Sequence, residues 1–168
     1  MTISIGERLP EGTLMEATEF DGNSGCPMPP KPVNVTEAAK GKKIVIFGIP
    51  GAYTPLCSAN HLPGYVANID KLKAKGVAEV WCHATNDAFV MAAWGKQLGA
   101  TGKVRTLGDG SATYAKALGL TLDLTARGMG VRTERYAMIV DDGVVKYLGV
   151  EQPGKFEVSS AEAVLAQL

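Results

Sequence analysis

The residue of this chain best suited to nucleophilic chemistry is Cys57, which follows the motif Thr54-Pro55. Threonine is typical of a helix N-cap and proline of the first helical position, so Cys57 is predicted to lie in the first helical turn. Free backbone N–H groups and the positive end of the helix dipole favour a thiolate there. Because the thiolate is the reactive form, we predict a nucleophilic cysteine. The alternative is a small buried hydrophobe, the usual role of a free cysteine.

The residues around this motif predict how the thiol is positioned. Residues 44–47 form a continuous apolar run, which is typical of a strand buried on both faces. Gly48, Pro50 and Gly51 then interrupt regular structure. Residues 44–65 therefore predict a strand, a tight loop and a helix that carries the cysteine.

Predicted strands and helices alternate along the rest of the chain. The further strands are predicted at 14–20, 33–35, 77–84, 104–107, 136–140 and 144–150, and the helices at 54–76, 87–98, 111–118 and 159–168. The last helix is predicted to begin with a capping box of Ser159 and Glu162, and residues 120–131 are predicted to form a loop. This order predicts one α/β domain over residues 1–168, with a mixed central sheet, helices on both faces and an outer N-terminal hairpin.

Bulk composition excludes several function classes. The 168 residues carry 17 basic and 17 acidic side chains, and 46% are hydrophobic. This balance favours neither a nucleic-acid partner nor an anionic membrane surface, and no apolar run approaches a membrane span. The N-terminal residues lack the features of a signal or transit peptide, and three cysteines do not fit a secreted disulfide framework. We therefore expect a cytoplasmic protein.

Residues 50–65, PGAYTPLCSANHLPGY, resemble the active-site segment of the peroxiredoxins, in particular the peroxiredoxin-5 branch that includes the plant type II enzymes. The resemblance extends from about Gly6 to the C-terminus. It implies a thioredoxin-like fold with an N-terminal β extension. It also implies a homodimer that reduces hydrogen peroxide and organic hydroperoxides in antioxidant defence, with no metal or organic cofactor. Tyr53 is predicted to pack, with a dimer contact as one candidate.

Thiolate attack on a peroxide needs donors that align the substrate and a positive charge near the leaving oxygen. By resemblance, Cys57 is the peroxidatic cysteine and passes through a sulfenic acid. The resemblance also implies that Thr54 binds the sulfur and the peroxide, and that Pro50 shields the sulfur from water. The alternatives are a simple N-cap for Thr54 and loop stiffening for Pro50.

The positive charge is assigned to Arg135, because the family's catalytic arginine precedes an aromatic residue at this point. Arg132 is the near rival, and for either residue the alternative is a solvated surface charge. A guanidinium suits the role because it stays charged and offers several donors in one plane. Glu134 is predicted to point away from Arg135, on the opposite side of the strand.

The sulfenic acid must be reduced by a second thiol. Cys82 resembles the resolving cysteine of the plant type II pattern, but it could equally be a buried strand residue that never reacts. The other route is an external thiol, and glutaredoxin with glutathione or thioredoxin is the predicted reductant. Val158 stands where animal members carry a C-terminal resolving cysteine, so that mechanism is not predicted. Cys26 is predicted to be an incidental thiol in a surface loop.

The residues allow three further interpretations. His61 could act as a general base, but a structural hydrogen-bonding histidine is the favoured interpretation. A zinc site could use Cys57, His61, Cys82 and His83, although the last two are adjacent on a strand and should face opposite sides. A non-enzymatic redox sensor on the same fold is the other function that the residues allow.

Overall fold

A mixed seven-stranded sheet forms the centre of the computed structural model, which describes residues 1–168. Its strands are β1 (Thr13–Glu16), β2 (Lys31–Asn34), β3 (Lys43–Gly48), β4 (Glu79–Ala84), β5 (Arg105–Gly108), β8 (Tyr136–Asp141) and β9 (Val144–Val150). A separate hairpin consists of β6 (Thr121–Leu124) and β7 (Gly130–Thr133). The helices are α1 (Val35–Ala39), α2 (Leu62–Ala67), α3 (Ile69–Ala74), α4 (Ala88–Gln97), α5 (Thr113–Leu118) and α6 (Ala161–Leu165).

The strand order in the large sheet is β2-β1-β5-β4-β3-β8-β9. Strands β3, β4 and β5 are parallel, whereas β8, β9 and the β1–β2 hairpin are added antiparallel. This arrangement confirms the predicted α/β fold, which is thioredoxin-like with a β extension at its N-terminus. None of the helices has both the length and the apolar character needed to span a bilayer.

Two apolar cores lie on the two faces of the sheet, because successive strand residues point to opposite sides. On β3, Val45 and Phe47 join one core and Ile44 and Ile46 join the other. The first core is covered mainly by α2, α3, α4 and α6, and the second by α1 and α5. Helices therefore cover both faces, as predicted.

Gly48 ends β3 directly against the ring of Tyr136. A Cβ atom at this position would lie 2.1 Å from Tyr136 Cε1, far inside van der Waals contact. The strand therefore needs glycine here because of a close approach, and not because of an unusual backbone angle.

Several elements differ from the sequence-based prediction. The expected loop at 120–131 contains strand β6 and the beginning of β7. The prediction missed them because these short polar strands, separated by glycines, lack a recognisable alternation. Helix α1 was not predicted. The apolar spacing of residues 89–98 predicts that Phe89 faces the core from α4, but its side chain is 46% exposed. The last helix is capped by Ser160, whose hydroxyl accepts the Ala163 N–H, so the predicted cap at Ser159 is wrong by one residue.

Candidate active site

Cys57 begins a π-helical turn, Cys57–His61, that follows one short stretch of α-helix starting at Pro55. The start at Pro55 agrees with the predicted proline position, but the wide turn was not predicted. Leu62 closes it by donating its N–H to the Cys57 carbonyl. The Cys57 side chain is fully buried in the core under α2 and α4. Such π-turns are frequent at functional sites.

Arg135 reaches this sulfur from the residue just before β8. Its Nη2 donates to Cys57 Sγ at 3.1 Å, and its Nη1 donates to His61 Nδ1 at 2.8 Å. Arg132 lies on β7 and has a different set of partners, the carbonyls of Met129 and Pro50. The structure therefore places Arg135 at the sulfur, whereas Arg132 stabilises the loop that contains Pro50.

His61 lies behind the guanidinium with both ring nitrogens in use. A guanidinium can only donate, so Nδ1 is the acceptor and Nε2 carries the proton that it donates to the Ser159 carbonyl at 2.9 Å. Burial, together with the charge of Arg135, lowers the pKa of His61 from 6.5 to about 3. The imidazole is therefore neutral at physiological pH, and no free nitrogen remains for a general base.

Thr54 is half-buried beside this turn, and its hydroxyl bonds the preceding loop. The hydroxyl donates to the Gly51 carbonyl at 2.7 Å, while its backbone carbonyl accepts the Ser58 N–H. The predicted N-cap position is thus occupied without a side-chain cap. The hydroxyl proton is committed to the loop, and its oxygen lone pairs remain available to a donor.

The loop that carries Pro50 is held from several sides. Thr133 donates its hydroxyl to the Ile49 carbonyl at 2.6 Å, and Asn86 accepts the Ala52 N–H at 2.8 Å. A side chain at Gly51 would collide with Arg132 Nη1. These contacts hold the loop next to Cys57 in place. The residues that make them lie outside the sequence motif at 50–65.

A cleft of about 210 Å³ opens next to the Arg135 guanidinium. Its walls include Pro50, Leu56 and Leu122, and its rim is formed by residues 151–155. Glu134 lines the same cleft, and the expectation that it points away from Arg135 lacks its premise. It was based on strand alternation, but β8 begins only at Tyr136, so residues 134 and 135 are not strand residues.

Cys82 lies on β4, fully buried in the same core as Cys57. Burial, with a smaller contribution from Cys57, raises its pKa well above the ordinary value. All three cysteines are free thiols, and Cys26 is exposed on its loop as predicted. His83 joins neither thiol, because it points into the opposite core, where it bonds Tyr136 and Asp109. No group of three potential metal ligands forms, so the zinc alternative has no site.

Comparison with known proteins places this geometry in a family. The Redoxin family model matches residues 5–165. Peroxiredoxin-2B of Arabidopsis thaliana is 43% identical over 166 residues, covering 99% of this chain and 98% of that protein. The chain belongs to the peroxiredoxins. Peroxiredoxins are thiol peroxidases, so this family membership favours the enzyme over the redox-sensor alternative.

Solved structures agree with this peroxiredoxin assignment. Reduced Prx3 from Vibrio vulnificus in complex with hydrogen peroxide superposes with a TM-score of 0.89 at 47% identity, over 98% of each chain. Peroxiredoxin 5 from Alvinella pompejana gives a TM-score of 0.82 at 30% identity, over 98% of this chain and 97% of that one. The peroxiredoxin fold and the thiol peroxidase function predicted from residues 50–65 are confirmed.

Proposed function

We propose that Cys57 is the peroxidatic residue of this thiol peroxidase and that Arg135 is its catalytic cation. The observation that carries this assignment is the 3.1 Å contact between Arg135 Nη2 and Cys57 Sγ. A guanidinium at this distance stabilises a thiolate and stays charged throughout the reaction. Its charge also lies where negative charge develops on the leaving oxygen.

In the proposed reaction, the Cys57 thiolate attacks the terminal oxygen of a hydroperoxide. A sulfur–oxygen bond forms, the O–O bond breaks, and the other oxygen leaves with the electron pair as water or alcohol after protonation. The Thr54 oxygen can accept the hydrogen of the attacked peroxide oxygen, since its own proton is used on Gly51. Pro50, at the edge of the cleft, limits the access of water to the sulfur.

The resulting sulfenic acid is reduced by glutaredoxin with glutathione or by thioredoxin, and Cys82 is the candidate resolving thiol. Disulfide geometry requires Cα atoms within about 7 Å, and Cys82 is fully buried, so the Cys57 turn would have to unwind to form a disulfide. If the turn stays folded, an external thiol attacks Cys57 directly from the cleft.

The proposal includes a homodimer in the cytoplasm. Tyr53 supports the dimer, because this large side chain is 56% exposed beside the active-site loop at a backbone φ of 65°, where bulky residues are rare. Three free thiols fit a reducing compartment. Sedimentation of the wild type and of Tyr53→Asp tests the contact, and an unchanged mass would contradict it.

Peroxide consumption by wild type, Cys57→Ser and Cys82→Ser, each with thioredoxin and with glutathione plus glutaredoxin, tests the catalytic assignment. Turnover should disappear in Cys57→Ser with either reductant. Loss of only the thioredoxin-driven activity in Cys82→Ser would identify a resolving cysteine. Retained turnover in Cys57→Ser would refute the assignment.

A further inference from the structure

His61 is held in one orientation by its surroundings on every side. The ring of Phe47 lies 4.8 Å from it and the ring of Phe156 lies 4.9 Å away, edge-on. Its side chain is fully buried, and its two nitrogens bond Arg135 and the Ser159 carbonyl. The imidazole therefore has neither the room nor a spare partner to change its orientation.

The carboxylate of Glu151 fixes the segment that presents the Ser159 carbonyl to His61. Glu151 follows β9 and accepts the backbone N–H groups of Glu157, Val158 and Ser159, and also the Ser159 hydroxyl, all at 2.6–2.9 Å. Burial alone would raise the pKa of Glu151, but these hydrogen bonds lower it, so the carboxylate is ionised. The segment 157–159 is thereby closed around one charged group.

These contacts form a continuous path from Glu151 through Ser159 and His61 to Arg135 and the Cys57 sulfur. We propose that Glu151 and His61 are positioning residues, which fix the direction of the Arg135 guanidinium without touching the peroxide. The proposal rests on the catalytic role given to Arg135 above. It predicts that the acceptor at the Nδ1 position of His61 matters to the reaction, beyond any contribution of the ring to stability.

Two substitutions at His61 separate positioning from stability. His61→Asn places an amide oxygen near the Nδ1 position and keeps an acceptor for Arg135, whereas His61→Gln reaches the Nε2 position and keeps only the Ser159 contact. Each loses one buried hydrogen bond, so both should lose similar stability in urea denaturation. The rate constant for oxidation by hydrogen peroxide should fall about 10²-fold in His61→Gln and much less in His61→Asn.

Glu151→Gln tests the far end of the path, with Glu11→Gln as the matched control on an exposed side chain. The amide presents N–H groups to backbone donors, so the segment 157–159 should loosen and the oxidation rate should fall several-fold. The control should keep the wild-type rate. If both His61 variants slow in proportion to their lost stability, or if Glu151→Gln matches Glu11→Gln, the positioning role is wrong.

A measurement on the wild-type protein tests the proposal even if a variant does not fold. Nitrogen-15 NMR of wild-type His61 at neutral pH should show a neutral ring with the proton on Nε2. An imidazolium or an Nδ1–H tautomer would overturn the proposal. This result is independent of turnover, so it distinguishes failure of the positioning role from failure of the Cys57 assignment.

Discussion

The two buried histidines of this peroxiredoxin lie on opposite faces of the sheet and have opposite electrostatic neighbours. His61 bonds the cationic Arg135, whereas His83 bonds the carboxylate of Asp109 at 3.0 Å and the hydroxyl of Tyr136 at 2.8 Å. Arg135 and Tyr136 are consecutive residues at the start of β8. One short piece of backbone therefore supplies a partner to each histidine.

The two polar networks end in different places. The His61 network ends at the Cys57 sulfur, beside a cleft. The His83 network ends inside the protein, where Asp109 accepts the backbone N–H groups of Tyr114 and Ala115 at the start of α5. Under the proposed assignment of Cys57 and Arg135, buried polar groups serve reactivity on one face and folding on the other. Three substitutions and one pH titration test this division.

Asp109→Ala should have the largest effect on stability. It leaves His83 and two buried N–H groups without their acceptor, and each buried polar group left unsatisfied costs about 1–3 kcal/mol. Urea denaturation, with the exposed Asp70→Ala as control, measures the loss. The oxidation rate of the folded variant should change little, and a rate loss comparable to that of an Arg135 variant would contradict the division.

Arg135→Gln should have the largest effect on the reaction. Removing one preorganised donor from a reacting centre typically lowers rates about 10²–10³-fold. The free energy of unfolding should change far less than in Asp109→Ala, since the side chain reaches a cleft. Stopped-flow oxidation with hydrogen peroxide measures the rate, and the exposed Arg127→Gln is the control. A loss below about ten-fold would remove Arg135 from the chemistry.

His61 should impose a pH dependence on stability. The unfolded chain protonates this histidine near pH 6.5, whereas the folded protein keeps it neutral down to about pH 3. Between these values the unfolded state binds more protons, so stability falls as the pH falls, by at most about 1.4 kcal/mol per pH unit. His61→Asn should lack this component when unfolding is measured across the window. Parallel curves for the two proteins would show that His61 protonates in the folded state.

Tyr65→Phe should have the smallest effect. The Tyr65 hydroxyl donates to the Ser159 carbonyl at 2.8 Å, but that carbonyl also accepts from His61, so its hydrogen bonding is not lost. The expected loss is about 1 kcal/mol of stability with an almost unchanged oxidation rate. A large rate loss in this variant would show that Ser159, and not His61 alone, orients the guanidinium.

The sequence predicted those features of the site that depend on local pattern. Strand alternation placed Cys82 and His83 on opposite faces, and the Thr-Pro motif located the helix start before Cys57. The choice of Arg135 over Arg132 came from the family motif, because no local sequence rule separates the two arginines. The structure shows that only Arg135 contacts the sulfur.

Features that depend on distant contacts were not predictable. The partner of His61 is a carbonyl 98 residues later in the chain, and the Glu151 carboxylate closes a segment with no recognisable motif. The π-turn adds one residue per turn in a helix whose sequence gives no signal for it. The bond from the Thr54 hydroxyl to the Gly51 carbonyl was likewise not predictable from the Thr-Pro motif.

The absence of a side chain at Gly48 restricts which substitutions this protein can accept during evolution. Any larger residue there would displace the Tyr136 ring, and with it both the hydroxyl that reaches His83 and the backbone that carries Arg135. In a library of all single substitutions, position 48 should therefore tolerate no replacement, although it touches neither substrate nor sulfur. A single added methyl group at this position would therefore disturb the polar networks on both faces of the sheet.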